Sequence, residues 1–227
     1  MAQAGIHGLV GMVVRKWTPK KEWLILGIVL GNMLPDMDAL AVAYATLSGM
    51  DSHGLHRTFS HSIPFILGLT LIFYLISAVT KRARIGNLGL GLGIGMLMHS
   101  LLDLVIWFRG VELFWPFYGE INFWSGYTPP AWWHNSFESA AEFLLVAVFF
   151  LFLASLARKQ GTDEDFLRKL KSWTWFQFAL FVIFLVLVYT WDGYFIPFGA
   201  MYIFSLSLAL GVTVRMRKTI ETMGSPV

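Results

Sequence analysis

Two spacings in the sequence put an imidazole and a carboxylate on one helix face: His99 with Asp103 in "HSLLD", and His134 with Glu138 in "HNSFE". Side chains at i and i+4 leave a helix on the same side, which is how one helix offers two ligands to a single ion. "HRTFSHS" adds His56 and His61, five apart and followed by Pro64, with Arg57 between them. "LPDMD" supplies Asp36 and Asp38, and His7 stands near the start. The chain has no cysteine, so any metal is held by nitrogen and oxygen donors, which suit zinc first, with manganese or iron as alternatives. Each piece also has a plainer meaning. A His with an Asp at i+4 can be a buried hydrogen-bonded pair, and Asp36 after a proline can cap a half-helix. Arg57 either neutralises buried carboxylates or grips an anionic substrate, since a guanidinium fits phosphate well. His53 in "GMDSHGLH" reads as a loop histidine, and Glu142, one turn beyond Glu138, either supports a site or bonds a neighbouring helix.

The elements that must position these residues are apolar. Of 227 residues, 56% are hydrophobic and only 14% charged, with 20 Phe and 10 Trp, which excludes an ordinary soluble domain. Runs long enough to cross a hydrocarbon layer of roughly 30 Å, about 20 residues each, are 63–80, 85–108, 137–157, 173–191 and 196–214. The segment 23–47 is also long enough, but "GNMLPDMDAL" interrupts it, predicting two half-helices that meet at a break near Pro35. Irregular backbone at membrane depth must be enclosed by protein or line a cavity. The first apolar stretch, 2–14, is too short to span and predicts a re-entrant or interfacial helix. It lacks the layout of a signal peptide, because its charges follow the apolar run, and so reads as mature protein. The expected fold is an all-α polytopic bundle in one domain, 1–227, with the site-bearing core in 1–143 and additional helices in 173–214.

Basic residues orient the bundle. Fifteen of the 17 Lys and Arg fall on one face of this topology, leaving Arg57 and Arg109 on the other. Lys and Arg near span ends favour the cytoplasm, so the connections 48–62 and 109–136 face outward. The net charge of +3 is therefore an orientation signal and not a nucleic-acid footprint. On this topology His61, Asp103, His134 and Glu138 come to one depth near the outer side, with Asp36 and Asp38 within reach from the break and His7 able to rise to them. In "GNLGLGLGIG", Gly89 and Gly93, and likewise Gly91 and Gly95, are four apart, a spacing that lets membrane helices approach closely. No strand precedes these glycines, which argues against a dinucleotide loop. "GTDEDFLRKLK" predicts a short amphipathic helix on the cytoplasmic surface.

Taken in order, "LPDMD", "HRTFSHS" and "HSLLD", after an early histidine, resemble the hallmark segments of the YdjM-type family of membrane-bound metal-dependent hydrolases, over about residues 2–117. The donor order is also similar to that of the soluble zinc-dependent phospholipase C and single-strand nuclease superfamily, which holds a cluster of zinc ions. That likeness implies two or three zinc ions on His7, Asp36, His56, His61, His99, Asp103, His134 and Glu138, with Asp103 bridging ions. Residues from Trp173 onward fall outside both likenesses.

The expected function is a membrane-embedded, metal-dependent hydrolase of a lipid or lipid-linked phosphoester, in a prokaryotic inner membrane, with its site toward the outer face. Asp103, Asp38 and Arg57 are the expected catalytic residues. The alternative is an ion or proton transporter, or a metal-binding membrane protein without hydrolase activity, because intramembrane His, Asp and Glu also mark ion pathways.

Overall fold

Among the described residues, five helices are long and apolar enough to cross a bilayer: Ile63–Thr80, Ala83–Ile106, Trp133–Gln160, Glu164–Thr190 and Asp192–Arg215. The structure, a computed structural model, describes residues 4–222. Its α-helices are α1 (Ala4–Val13), α2 (Leu24–Gly31), α3 (Ala39–Leu47), α4 (Ile63–Thr80), α5 (Ala83–Ile106), α6 (Ala141–Gln160), α7 (Leu167–Thr190), α8 (Phe195–Arg215) and α9 (Arg217–Glu221). Among the described residues there is no strand, only an isolated bridge between Val111 and Ile121. Packing divides the chain into two compact units. One is Lys21–Pro129; the other comprises residues 4–20 and 130–222.

In the unit Lys21–Pro129, the predicted break is present. α2 ends at Gly31, a tight turn of 3-10 helix runs Leu34–Asp38, and the two halves, Leu24–Gly31 and Leu34–Leu47, are bent by 46°. Pro35 has no N–H to return to the preceding turn, so the α-helix cannot run through it. α4 starts after Ser62, whose hydroxyl accepts from the Phe65 N–H at 3.3 Å, and Pro64 sits in its first turn, where a missing N–H costs nothing.

α5 lies between α2 and α4, and its glycines line both contacts. A Cβ on Gly27 would sit 2.5 Å from the Leu88 carbonyl oxygen, and one on Gly95 would sit 2.8 Å from the Asn32 nitrogen, so Gly27, Gly31, Gly91 and Gly95 form a backbone-to-backbone seam. On the opposite side, Gly89 faces Phe73 and Gly93 faces Thr70 of α4. The spacing of four predicted such approach, and the two interleaved sets serve two neighbours because they leave α5 on different faces.

In the other unit, α6 packs on α1 and α7, and α8 joins both α6 and α7. Phe143, Phe184 and Phe198 form its aromatic centre, with ring centroids 5.1, 5.4 and 5.6 Å apart. Two sequence expectations change here. "GTDEDFLRKLK" makes no separate surface helix: after one 3-10 turn at Glu164–Phe166, Leu167 already begins α7. Only Ser172, a weak breaker, separates Lys171 from the apolar run, so helix propagates through the basic residues. The start of the third span, Trp133–Ala140, is wound as a π-helix rather than an α-helix. Of the N-terminal stretch predicted as helix over 2–14, Ala4–Val13 is α-helical and Val14 begins a 3-10 turn; Ala2 and Gln3 lie outside the described residues.

Candidate metal centre

Three segments of the unit Lys21–Pro129 bring donors together: the break after α2 carries Asp36 and Asp38, the turn Phe59–His61 carries His61, and α5 carries His99 and Asp103. Asp36, His61, His99 and Asp103 all have 0% exposure. One donor atom from each of Asp36, His61 and His99 lies within 4.8 Å of the others. His61 Nε2 and His99 Nε2 are 3.1 Å apart. Asp36 Oδ1 is 3.5 Å from His99 Nε2, and Asp103 Oδ2 is 3.7 Å from both imidazole Nε2 atoms.

The opposite edge of each ring is already committed. His99 Nδ1 donates to the Asn32 carbonyl at 2.7 Å, and a carbonyl oxygen only accepts, so this nitrogen carries the proton. His61 Nδ1 lies 3.0 Å from Ser60 Oγ and 3.4 Å from Asp38 Oδ2. Ser60 donates its own proton to Asp38 Oδ2 at 3.0 Å, so its oxygen accepts from His61 Nδ1. Burial pushes the His61 imidazole below its ordinary value, the Asp38 hydrogen bond pulling the other way, which favours the neutral ring. The two Nε2 atoms therefore face each other and the Asp103 carboxylate, with Asp36 beside His99, a junction that a shared proton or a metal cation can occupy.

The donor set fits a metal on its own terms. Ligands about 2.0–2.1 Å from one tetrahedral ion lie about 3.3 Å from each other. The spacings in the cluster, 3.1, 3.5 and 3.7 Å, bracket that value. The outer partners, a backbone carbonyl on His99 Nδ1 and the Ser60 hydroxyl backed by the Asp38 carboxylate on His61 Nδ1, are of the kind that fix imidazole orientation at metal sites.

Asp38 sits behind this cluster. Oδ1 is 2.6 Å from His56 Nδ1, and Oδ2 accepts from the Arg57 backbone N–H and the Ser60 hydroxyl, both at 3.0 Å. His56 is thus drawn to Asp38, its ring centroid 5.7 Å from that of His61. Arg57, with φ +64°, turns its buried side chain onto Asp103, Nε to Oδ2 3.1 Å. Ser100 Oγ donates to the His61 carbonyl at 2.9 Å and ties that turn to α5. Asn32, Ser60 and Ser100 were not singled out as site residues by the sequence; the only hint is that they flank the donors in "GNMLP", "FSHS" and "MHSLLD".

The remaining candidates lie in the other unit. His7 is buried on α1, and Glu138 and Glu142 are buried at the start of the third span. His134 Nδ1 is 2.7 Å from Glu138 Oε2, so the predicted pair forms although the turn is π-helical. His53 is exposed on its loop, as read from sequence.

Together these features define a polytopic helical membrane protein with a buried imidazole and carboxylate cluster, able to hold a metal ion, built at a break in a membrane helix. The chain belongs to the YdjM inner membrane protein family, whose model matches residues 3–196. It is 37% identical over 102 residues to the inner membrane protein YbcI of Escherichia coli K12, an overlap of 43% of this chain and 55% of YbcI. The chain thus spans about half the length of that relative. No solved structure matches it. The relative and the apolar helices make this an integral inner membrane protein.

Proposed function

We propose that the protein is a metal-dependent hydrolase that cleaves a phosphoester of a lipid or lipid-linked substrate, at a site toward the outer face of the membrane. The observation that carries this reading is the convergence of His61 Nε2, His99 Nε2, Asp36 and Asp103 at ligand-to-ligand spacing, with both Nδ1 atoms held from behind. A divalent ion, zinc first, supplies Lewis acidity there, bringing the pKa of water from 15.7 toward about 7 and polarising the ester.

The chain's own residues then have separable tasks. His61 and His99 stay neutral and fixed as donors. Asp36 and Asp103 supply the negative charge that makes a divalent cation stable among buried side chains. Arg57 has Nη1 buried without a hydrogen-bond partner among the described residues, and a planar guanidinium suits a tetrahedral phosphate oxygen pair. Asp38, whose two oxygens are occupied by His56, Arg57 N–H, Ser60 and His61, is a positioning residue in this scheme rather than a group that touches substrate. The depth of the site and the single Arg beside it support a lipid phosphate, and the distribution of basic residues supports the outward orientation.

The test is elemental analysis of the purified full-length protein beside Asp36→Ala and Asp103→Ala, with cleavage of short-chain phosphatidylglycerol, read as diacylglycerol or phosphatidic acid formed, and of a soluble nitrophenyl phosphodiester, read as nitrophenol released, measured on the same samples. Zinc, manganese or iron bound to the parent and lost from both variants, with hydrolysis lost in parallel, is expected. A parent protein devoid of all three metals removes the basis of the proposal. Metal retained with cation flux in proteoliposomes and no hydrolysis would favour transport.

A further inference from the structure

The loop that leaves α5, residues 107–127, is rich in aromatic side chains that its own unit does not cover. Phe117 is 83% exposed and Phe123 68%, with Phe114, Trp115, Tyr118 and Trp124 also exposed. The loop is nonetheless held in place. The Val111 and Ile121 backbones pair at 3.0 Å in both directions, Gly110 N–H donates to Glu120 Oε1 at 2.7 Å, and Val111, Leu113 and Ile121 pack on Leu104 of α5. Exposed rings on an ordered base ask for a partner.

Two contacts set the depth of these rings. Trp115 reaches Phe59 at 6.3 Å between ring centroids, and Phe59 reaches Phe65, in the first turn of α4, at 5.2 Å. On the other side, Trp124 Nε1 donates to the Val105 carbonyl in the last turn of α5 at 3.2 Å, and Phe108 packs against Trp124 and Tyr127 at 4.9 Å each. The loop is therefore pinned level with the start of one span and the end of the next, which lie on the same side of a bilayer. Through Phe59 and Phe65 its rings also adjoin α4, where only 6% of the residues in the most apolar stretch are buried within the protein, an exposed apolar face suited to lipid. Rings with one polar handle, indole N–H and phenol O–H, at the level of helix ends are the composition of a membrane–water interface.

We infer that loop 107–127 is an interfacial anchor whose aromatic tip enters the headgroup and upper acyl region of the bilayer. Because Glu112 N–H donates to the Arg57 carbonyl at 3.0 Å and the Leu113 carbonyl accepts from Ile63 N–H at 2.8 Å, the anchor also fixes the depth of the segment bearing Arg57 and His61. Nothing in this depends on a metal being bound.

The absence of cysteine makes the test direct. Single Phe117→Cys and Phe123→Cys variants, nitroxide-labelled in full-length protein in phosphatidylethanolamine/phosphatidylglycerol vesicles, are compared with His53→Cys on the polar loop nearby. Collision with oxygen, which concentrates in lipid, and with a water-soluble nickel chelate is read from power-saturation spectra. Accessibility to oxygen above that to nickel at both aromatic positions, reversed at His53, is expected. Nickel exceeding oxygen at positions 117 and 123 overturns the inference, and so does low access to both agents, which would place a second protein surface there.

Discussion

Gly95→Ala tests whether helix packing, and not only the ligands themselves, builds the site. The new methyl carbon would lie 2.8 Å from Asn32 N and 2.9 Å from Gly31 C, with the Ile28 carbonyl oxygen closer still, and all three are backbone atoms that cannot rotate away. Restoring even a tight 3.4 Å contact requires the backbones of α2 and α5 to part by about 1.1 Å at the Ile28 carbonyl oxygen and about 0.6 Å at Asn32. Asn32 is also the residue whose carbonyl receives the His99 Nδ1 proton at 2.7 Å, one turn further along α5, so the same displacement stretches the bond that aims Nε2. Overpacking costs about 1–3 kcal/mol and a weakened buried hydrogen bond about 1 more, so a loss of about 2–4 kcal/mol is expected. Disturbing an outer partner of a ligating histidine typically lowers metal affinity about 10- to 100-fold. The assay is denaturant unfolding of the metal-free protein in detergent, followed by helical circular dichroism, together with zinc affinity by chelator competition. Gly68→Ala is the control, since a Cβ there meets nothing within 4 Å. A Gly95→Ala protein with the stability and zinc affinity of the parent would refute the reasoning.

Asp38→Asn keeps the shape but weakens the acceptor for His56, Ser60 and His61, and should reduce zinc affinity about 10- to 100-fold while leaving the fold intact; chelator competition against Asp38→Ala, expected to lose more, measures it. In the metal-free protein, burial holds the His61 imidazole below its ordinary value, so the unfolded chain binds more protons just below pH ~6.5 and the His61 contribution to stability falls as pH drops through that window. Unfolding midpoints at pH 5.5 and 7.5 (roughly one unit either side of that value) should differ more in the parent than in His61→Gln. Asp163, in the connection between α6 and α7, accepts from Thr219 N at 3.1 Å, Thr219 Oγ at 2.9 Å and Arg215 at 3.2 Å, so Asp163→Ala should lower stability by about 2 kcal/mol without affecting metal content, measured by thermal unfolding and elemental analysis.

Much of this protein is determined by local sequence. The number of spans, the break at Pro35 and the glycine seam follow from apolar run length, a missing N–H and a spacing of four, all properties of a few neighbouring residues. The donor types are legible for the same reason, because His and Asp in oily segments are rare enough to stand out. The tertiary structure decided what each donor does. Asp36 and Asp38 look equivalent in "LPDMD", yet Asp36 meets His99 Nε2 while Asp38 is taken up by Ser60, His56 and Arg57 N–H. Which nitrogen of His99 carries a proton depends on a carbonyl 67 residues away, brought there only when Gly95 lets α5 lie against α2. A tautomer belongs to a pair of groups, and no pattern within one segment contains its partner. The same holds for Arg57, whose turn onto Asp103 needs a left-handed backbone that nothing in "HRTFSHS" announces.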